Sequence, residues 1–111
     1  MKPVLCLIFV AACSAQEQAG STVDGKELYG KFCATCHGAT GKPDATMAAK
    51  LGVRDLTSPE LRARVTPALV EQQVRNGSQN KLMPAFAGAF TDEQIRAIAA
   101  YVASPEFLQQ R

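Results

Sequence analysis

Cys33-Ala34-Thr35-Cys36-His37 is the stretch on which the reading of this 111-residue chain turns. Two thiols three residues apart leave a helical turn on nearly the same side, and an imidazole follows directly. C-x-x-C-H is the attachment signature of a c-type haem: both thiols can reach the vinyl groups along one porphyrin edge, and His37 then lies under the iron. Two thioether links keep that ligand in place even when its own bond to iron breaks. The expected cofactor is one covalent haem c with its iron, attached through Cys33 and Cys36 and ligated by His37.

Other chemistries for a C-x-x-C pair find no support elsewhere in the chain. A thiol redox couple wants a β-α-β setting, and no strand pattern is present. Zinc wants four ligands, whereas the chain has one histidine and four cysteines, two of them near the start. Of those two, Cys6 and Cys13 belong to a targeting region, leaving Cys33 and Cys36.

Around the motif the chain reads as helices. Asp24 caps a segment running to Cys36, with Gly25, Leu28, Tyr29, Phe32 and Cys36 on one apolar stripe. Asp44 to Leu51 reads as a short helix ended by Gly52. Ser58-Pro59 and Thr66-Pro67 are successive cap-plus-proline starts, giving helices 59–64 and 67–75, the second stopped by Asn76-Gly77. Thr91 caps the last helix, Gln94 is placed to complete a capping box, and Ile95, Ile98, Ala99 and Val102 form its inner stripe before Ser104-Pro105. The fold class expected is all-α: a compact domain of about four to five short helices around one haem.

A haem with a filled sixth position needs a ligand opposite His37, the only histidine. Met83 is the expected one. Pro84 pushes it toward extended backbone, so its side chain can point inward from the non-helical loop that follows Gly77. Met47, on a short Ala-rich helix, reads better as a core gap filler. Met47, a lone His37 or an exogenous ligand are the alternatives.

The start of the chain is a targeting signal: Met1-Lys2, the apolar run from Val4 to Ala12, then small residues. Residues 1–12 are read as a signal peptide, with Val10-Ala11-Ala12-Cys13 resembling a lipobox that would make Cys13 a lipid anchor. The alternative is cleavage after Ala15. The expected organisation continues with a polar tether over 13–22, the domain over 23–104 and a tail over 105–111. The location is then periplasmic or otherwise extracytoplasmic. The formal charge of +2 gives no basis for nucleic-acid binding.

Asp24-Gly25-Lys26-Glu27-Leu28-Tyr29 leading into Cys33 to Gly38, then Gly77 to Met83-Pro84-Ala85-Phe86, then Thr91-Asp92-Glu93-Gln94-Ile95 running to Tyr101, resemble the small class I cytochromes c. The resemblance covers nearly all of the domain. It implies crossing of the first and last helices through Gly25, Leu28, Tyr29, Ile98 and Tyr101, and His37/Met83 ligation. It also implies electron transfer between a protein donor and acceptor, such as a membrane or periplasmic oxidoreductase, rather than catalysis. A small haem enzyme or gas sensor with a labile sixth ligand is the alternative. In that family a proline carbonyl after the histidine accepts the imidazole N–H, a place for which Pro43 is the candidate here.

Overall fold

The computed structural model describes residues 23–109. The leader read over 1–12, Cys13 and the tether over 13–22 lie outside the described residues. Among those described, the elements are α1 (Gly25–Phe32), α2 (Ala34–His37), α3 (Ala45–Leu51), α4 (Pro59–Arg62), α5 (Pro67–Asn76), α6 (Asp92–Ala103) and a 3-10 helix (Pro105–Gln109). A single β-bridge joins Ala87 and Phe90, with no strand besides it among the described residues. The all-α expectation is met.

Helix starts follow local chemistry. The Asp24 carboxylate accepts from the Lys26 and Glu27 amides, Asp44 from Met47, Ser58 from Leu61 and Thr66 from Leu69. Each side-chain oxygen satisfies an amide that the first turn leaves unpaired. At Thr91 the capping box is complete: the Gln94 amide donates to Thr91 Oγ1 at 3.1 Å, and the Thr91 amide donates to Gln94 Oε1 at 2.8 Å.

Two expectations are corrected. The first helix does not run unbroken to Cys36: it stops at Phe32, Cys33 takes φ −110°, and α2 restarts at Ala34. Across the break the Cys33 carbonyl accepts from the His37 amide at 2.9 Å. The second concerns the segment after Ser104, expected as a tail. It is a 3-10 helix whose Phe107 is 0% exposed and belongs to the core.

That core joins Tyr29, Val74, Ile95, Ile98, Tyr101, Val102 and Phe107. Helix α6 is its spine, packed against α1 on one side and α5 on the other. Tyr29, Tyr101 and Phe107 meet edge to face, with ring centroids 5.2–5.9 Å apart, an arrangement that places positive ring edges on negative ring faces. Arg62 ties the back together. Its guanidinium donates to the carbonyls of Val102 (2.8 Å), Ser104 (3.2 Å) and Leu56 (3.4 Å), and lies 5.5 Å from the Phe107 ring centroid. The last turn of α6 is thus capped by a side chain from α4.

Arg75 links α5 to α6 by donating to Asp92 Oδ1 at 2.7 Å while also pairing with Glu71. The guanidinium holds the Asp92 carboxyl below the ordinary carboxylate range, by hydrogen bonding first and by charge second. A carboxyl whose folded pKa is depressed stabilises the fold above its unfolded pKa, and that contribution is lost as pH falls through the folded value. Asp92→Asn is therefore expected to lower the thermal midpoint at pH 7, with the gap to wild type closing as pH drops below about 4. A gap that stays constant down to pH 2 would contradict this assignment.

Candidate functional site

Cys33, Cys36 and His37 stand on one turn between α1 and the Gly38 break, all three half-buried. The Cys36 and His37 amides both bond the Cys33 carbonyl, at 3.2 and 2.9 Å, so the turn is closed by its own backbone. Tyr29 reinforces it from α1, its hydroxyl donating to the Gly38 carbonyl at 2.7 Å. Burial pushes the Tyr29 phenol far above its usual pKa, and it remains a donor at any physiological pH. Burial also pushes the Cys33 thiol up to about 11, with Cys36 adding to the shift.

His37 Nδ1 lies 3.1 Å from the backbone carbonyl of Arg54. A carbonyl can only accept, so Nδ1 carries the proton and Nε2 presents its lone pair. Burial holds the imidazole pKa below its ordinary value, against a smaller opposing effect of the Arg54 hydrogen bond. The ring is thus neutral, oriented and competent as a metal ligand through Nε2. Pro43, the expected acceptor, is buried but does not fill this role. The chain needs a carbonyl at that point, not a proline, and the 54–57 segment supplies one. Leu56 N–H donates to the Gly41 carbonyl at 2.8 Å, and Asp55 accepts from the Thr57 amide and hydroxyl at 2.8 and 2.6 Å. The Arg54 side chain itself is exposed.

Met83 comes from the other side of the sequence, in the loop between α5 and α6. It packs against the same core as Cys33 and Ala34, together with Phe86 and Phe90, whereas Met47 on α3 is not in that set. Gly77 makes the loop: its φ is +70°, and a Cβ there would fall 2.5 Å from the Met83 carbonyl oxygen and 2.8 Å from the Ala85 nitrogen. Only a residue without a side chain lets the end of α5 lie on the Met83-Pro84-Ala85 backbone. Farther along, the Phe86 amide donates to the Val74 carbonyl at 2.9 Å, fixing the loop to α5.

The apolar surroundings suit a large flat ligand. Phe32, beside Cys33, is 51% exposed and Leu82, beside Met83, 55%. Phe32 meets Phe90 edge to face at 5.1 Å, and Phe90 stacks on Phe86 at 4.9 Å with the ring planes 4° apart. Tyr29 and Tyr101 are buried in the core, while Phe86 and Phe90 pack against it and, with the exposed Phe32, form an aromatic row. The donor chemistry also fits: two thiols at one turn for covalent attachment, an imidazole nitrogen and a thioether for iron. No cluster of three or more His, Cys, Asp or Glu able to hold a bare metal ion occurs among the described residues.

The sequence reading missed two contributors. The Arg54 carbonyl is a backbone atom that no side-chain pattern marks. Phe107 sits after a proline break that reads as an ending, although Pro105 at the start of a short apolar run was a usable sign of a new helical turn.

Comparison with known proteins points one way. The family model described as "Cytochrome C oxidase, cbb3-type, subunit III" matches residues 20–102. A cytochrome c6 of Nostoc sp. is 35% identical over 95 residues, spanning 86% of this chain and 80% of that protein. A cytochrome c-553 of Desulfomicrobium norvegicum is 32% identical over 80 residues, spanning 70% and 91%. The solved KustC0563 c-type cytochrome superposes with a TM-score of 0.64 at 30% identity, over 73% of this chain and 95% of that one.

Proposed function

Since this chain belongs to the c-type cytochrome family, we propose that it is a small one-electron carrier built on one covalent haem c. Its relatives named cytochrome c6 and cytochrome c-553 are electron carriers, which favours this reading over a haem enzyme or a gas sensor. The observation that carries it is the 3.1 Å hydrogen bond from His37 Nδ1 to the Arg54 carbonyl, which leaves Nε2 as the one free ring nitrogen on the C-x-x-C-H turn.

Cys33 and Cys36 would carry the haem through two thioether links, and His37 and Met83 would ligate its iron. When bound, haem iron supplies reversible exchange of a single electron. The protein's part is to hold both ligands on fixed backbone, to exclude water with Phe86 and Phe90, and to keep His37 neutral. A thioether ligand favours the reduced state and so raises the potential relative to two imidazoles. With His37 and Met83 both committed to the iron, the chain would leave no position on it for a substrate.

The partners are a protein donor and a protein acceptor that would dock at the haem site through a small, short-lived interface, as suits electron transfer. A membrane or periplasmic oxidoreductase fits that role. Export through the leader read over 1–12 gives a periplasmic or extracytoplasmic location, with Cys13 as lipid anchor or, after cleavage beyond Ala15, a freely diffusing form. No helix among the described residues is long and apolar enough to cross a membrane.

The exported protein is expected to have the mass of the polypeptide plus one haem, to keep that haem through acid–organic extraction, and to titrate reversibly with one electron. Haem lost on extraction, or a mass equal to the bare chain, would overturn the proposal.

A further inference from the structure

The loop that carries Met83 is closed by hydrogen bonds that do not involve iron. Met83 N–H donates to Ser78 Oγ at 3.0 Å, and Ser78 N–H donates to the Met83 carbonyl, also at 3.0 Å. One residue therefore grips both backbone polar groups of the other across a five-residue span. The Ser78 hydroxyl has one proton, and it goes to Asn80 Oδ1 at 2.6 Å, leaving the oxygen lone pairs for Met83. The same Asn80 oxygen accepts from the Leu82 amide at 3.0 Å. Lys81 turns the chain between them with a φ of +62°, a left-handed conformation uncommon for a residue with a side chain, and its amide donates to the Ser78 carbonyl at 3.0 Å. Gln73 adds a bond from α5, its Nε2 donating to the Gly77 carbonyl at 2.7 Å.

We infer that Ser78, with Asn80 behind it, is a positioning residue for the sixth ligand: its hydroxyl and amide hold the Met83 backbone ready for iron and set how often that ligand lets go. The inference rests on the reading of Met83 as axial ligand. The physical reason is entropic. A methionine on a loose loop must be ordered each time it binds, whereas the Ser78 grip has already ordered it. Asn80 acts one step back by fixing which way the hydroxyl points. Ser78 is half-buried and Asn80 exposed, so neither is part of the packed core.

The test is the rate at which excess imidazole enters the oxidised holoprotein, a process that waits for Met83 to leave. Ser78→Ala is expected to speed entry about five- to tenfold, the factor for one net hydrogen bond, and to speed amide exchange at Met83 N–H by a similar factor. Asn80→Ala should give a smaller acceleration, and Ser78→Thr, which keeps a hydroxyl, should stay within about twofold of wild type. Met83→Ala marks the fully open limit. A Ser78→Ala protein that takes up imidazole at the wild-type rate, with Met83 N–H exchange unchanged, overturns the inference alone. A wild-type protein as fast as Met83→Ala overturns the axial reading of Met83, and the inference with it.

Discussion

Met83→Ala is expected to lower the reduction potential by on the order of 100 mV or more, because the thioether that favours Fe(II) is gone and water or an added ligand takes its place. The change should be confined to the ligand. Ser78 binds the backbone of residue 83 and Gly77 packs on it, so both contacts survive loss of the side chain. A spectroelectrochemical titration of wild type and variant checks this, and equal potentials would remove Met83 from the ligand set. The comparison also separates Met83 from Met47, whose truncation should leave the potential unchanged.

Gly25→Ala is expected to destabilise the fold severely, by about 3 kcal/mol or more out of a total of 5–15 typical for a domain. By helix propensity alone the sign would be opposite, although Gly25 opens α1 and the preference of about 1 kcal/mol for alanine belongs to helix interiors. The contact decides: a Cβ at residue 25 would fall on the Ala97 carbonyl, with the Ile98 nitrogen at 3.1 Å, and both are backbone of α6. Helix α1 must then lift from α6, and Tyr29 leaves the aromatic triad that joins α1, α6 and the 3-10 helix. Urea denaturation of the holoprotein measures the loss. A variant as stable as wild type would mean that the helices do not cross as closely as described.

How much was legible beforehand follows from where each feature is encoded. Caps are written in single side chains next to the turns they satisfy: Asp24, Ser58, Thr66 and Thr91 each cap the helix expected of it, and Asp44, read as the first helical residue, is the cap of its own. The crossing of the first and last helices through Gly25, Leu28, Tyr29, Ile98 and Tyr101 was what the resemblance to the class I cytochromes c implied, and α1 does pack on α6 with Gly25 against the Ala97 carbonyl. The break at Cys33 was not legible, since an amphipathic pattern continues smoothly through a one-residue interruption. Nor was the His37 partner: the acceptor is the main-chain oxygen of Arg54, 17 residues on, which no side-chain pattern marks, and not the Pro43 carbonyl that the resemblance implied. Phe107 was hidden behind Ser104-Pro105, which ends α6 but also begins the next turn. The polar run Ser78-Gln79-Asn80 looked like an ordinary loop, and only its hydrogen bonds to Met83 give it a purpose.

The most direct measurement is the absorption spectrum of the reduced protein with and without carbon monoxide, for wild type and Met83→Ala side by side. A carrier whose iron is closed by His37 and Met83 shows a low-spin spectrum that carbon monoxide leaves unchanged, and binds the gas once Met83 is removed. Ready binding by the wild-type protein would contradict the account and return the site to ligand capture or catalysis.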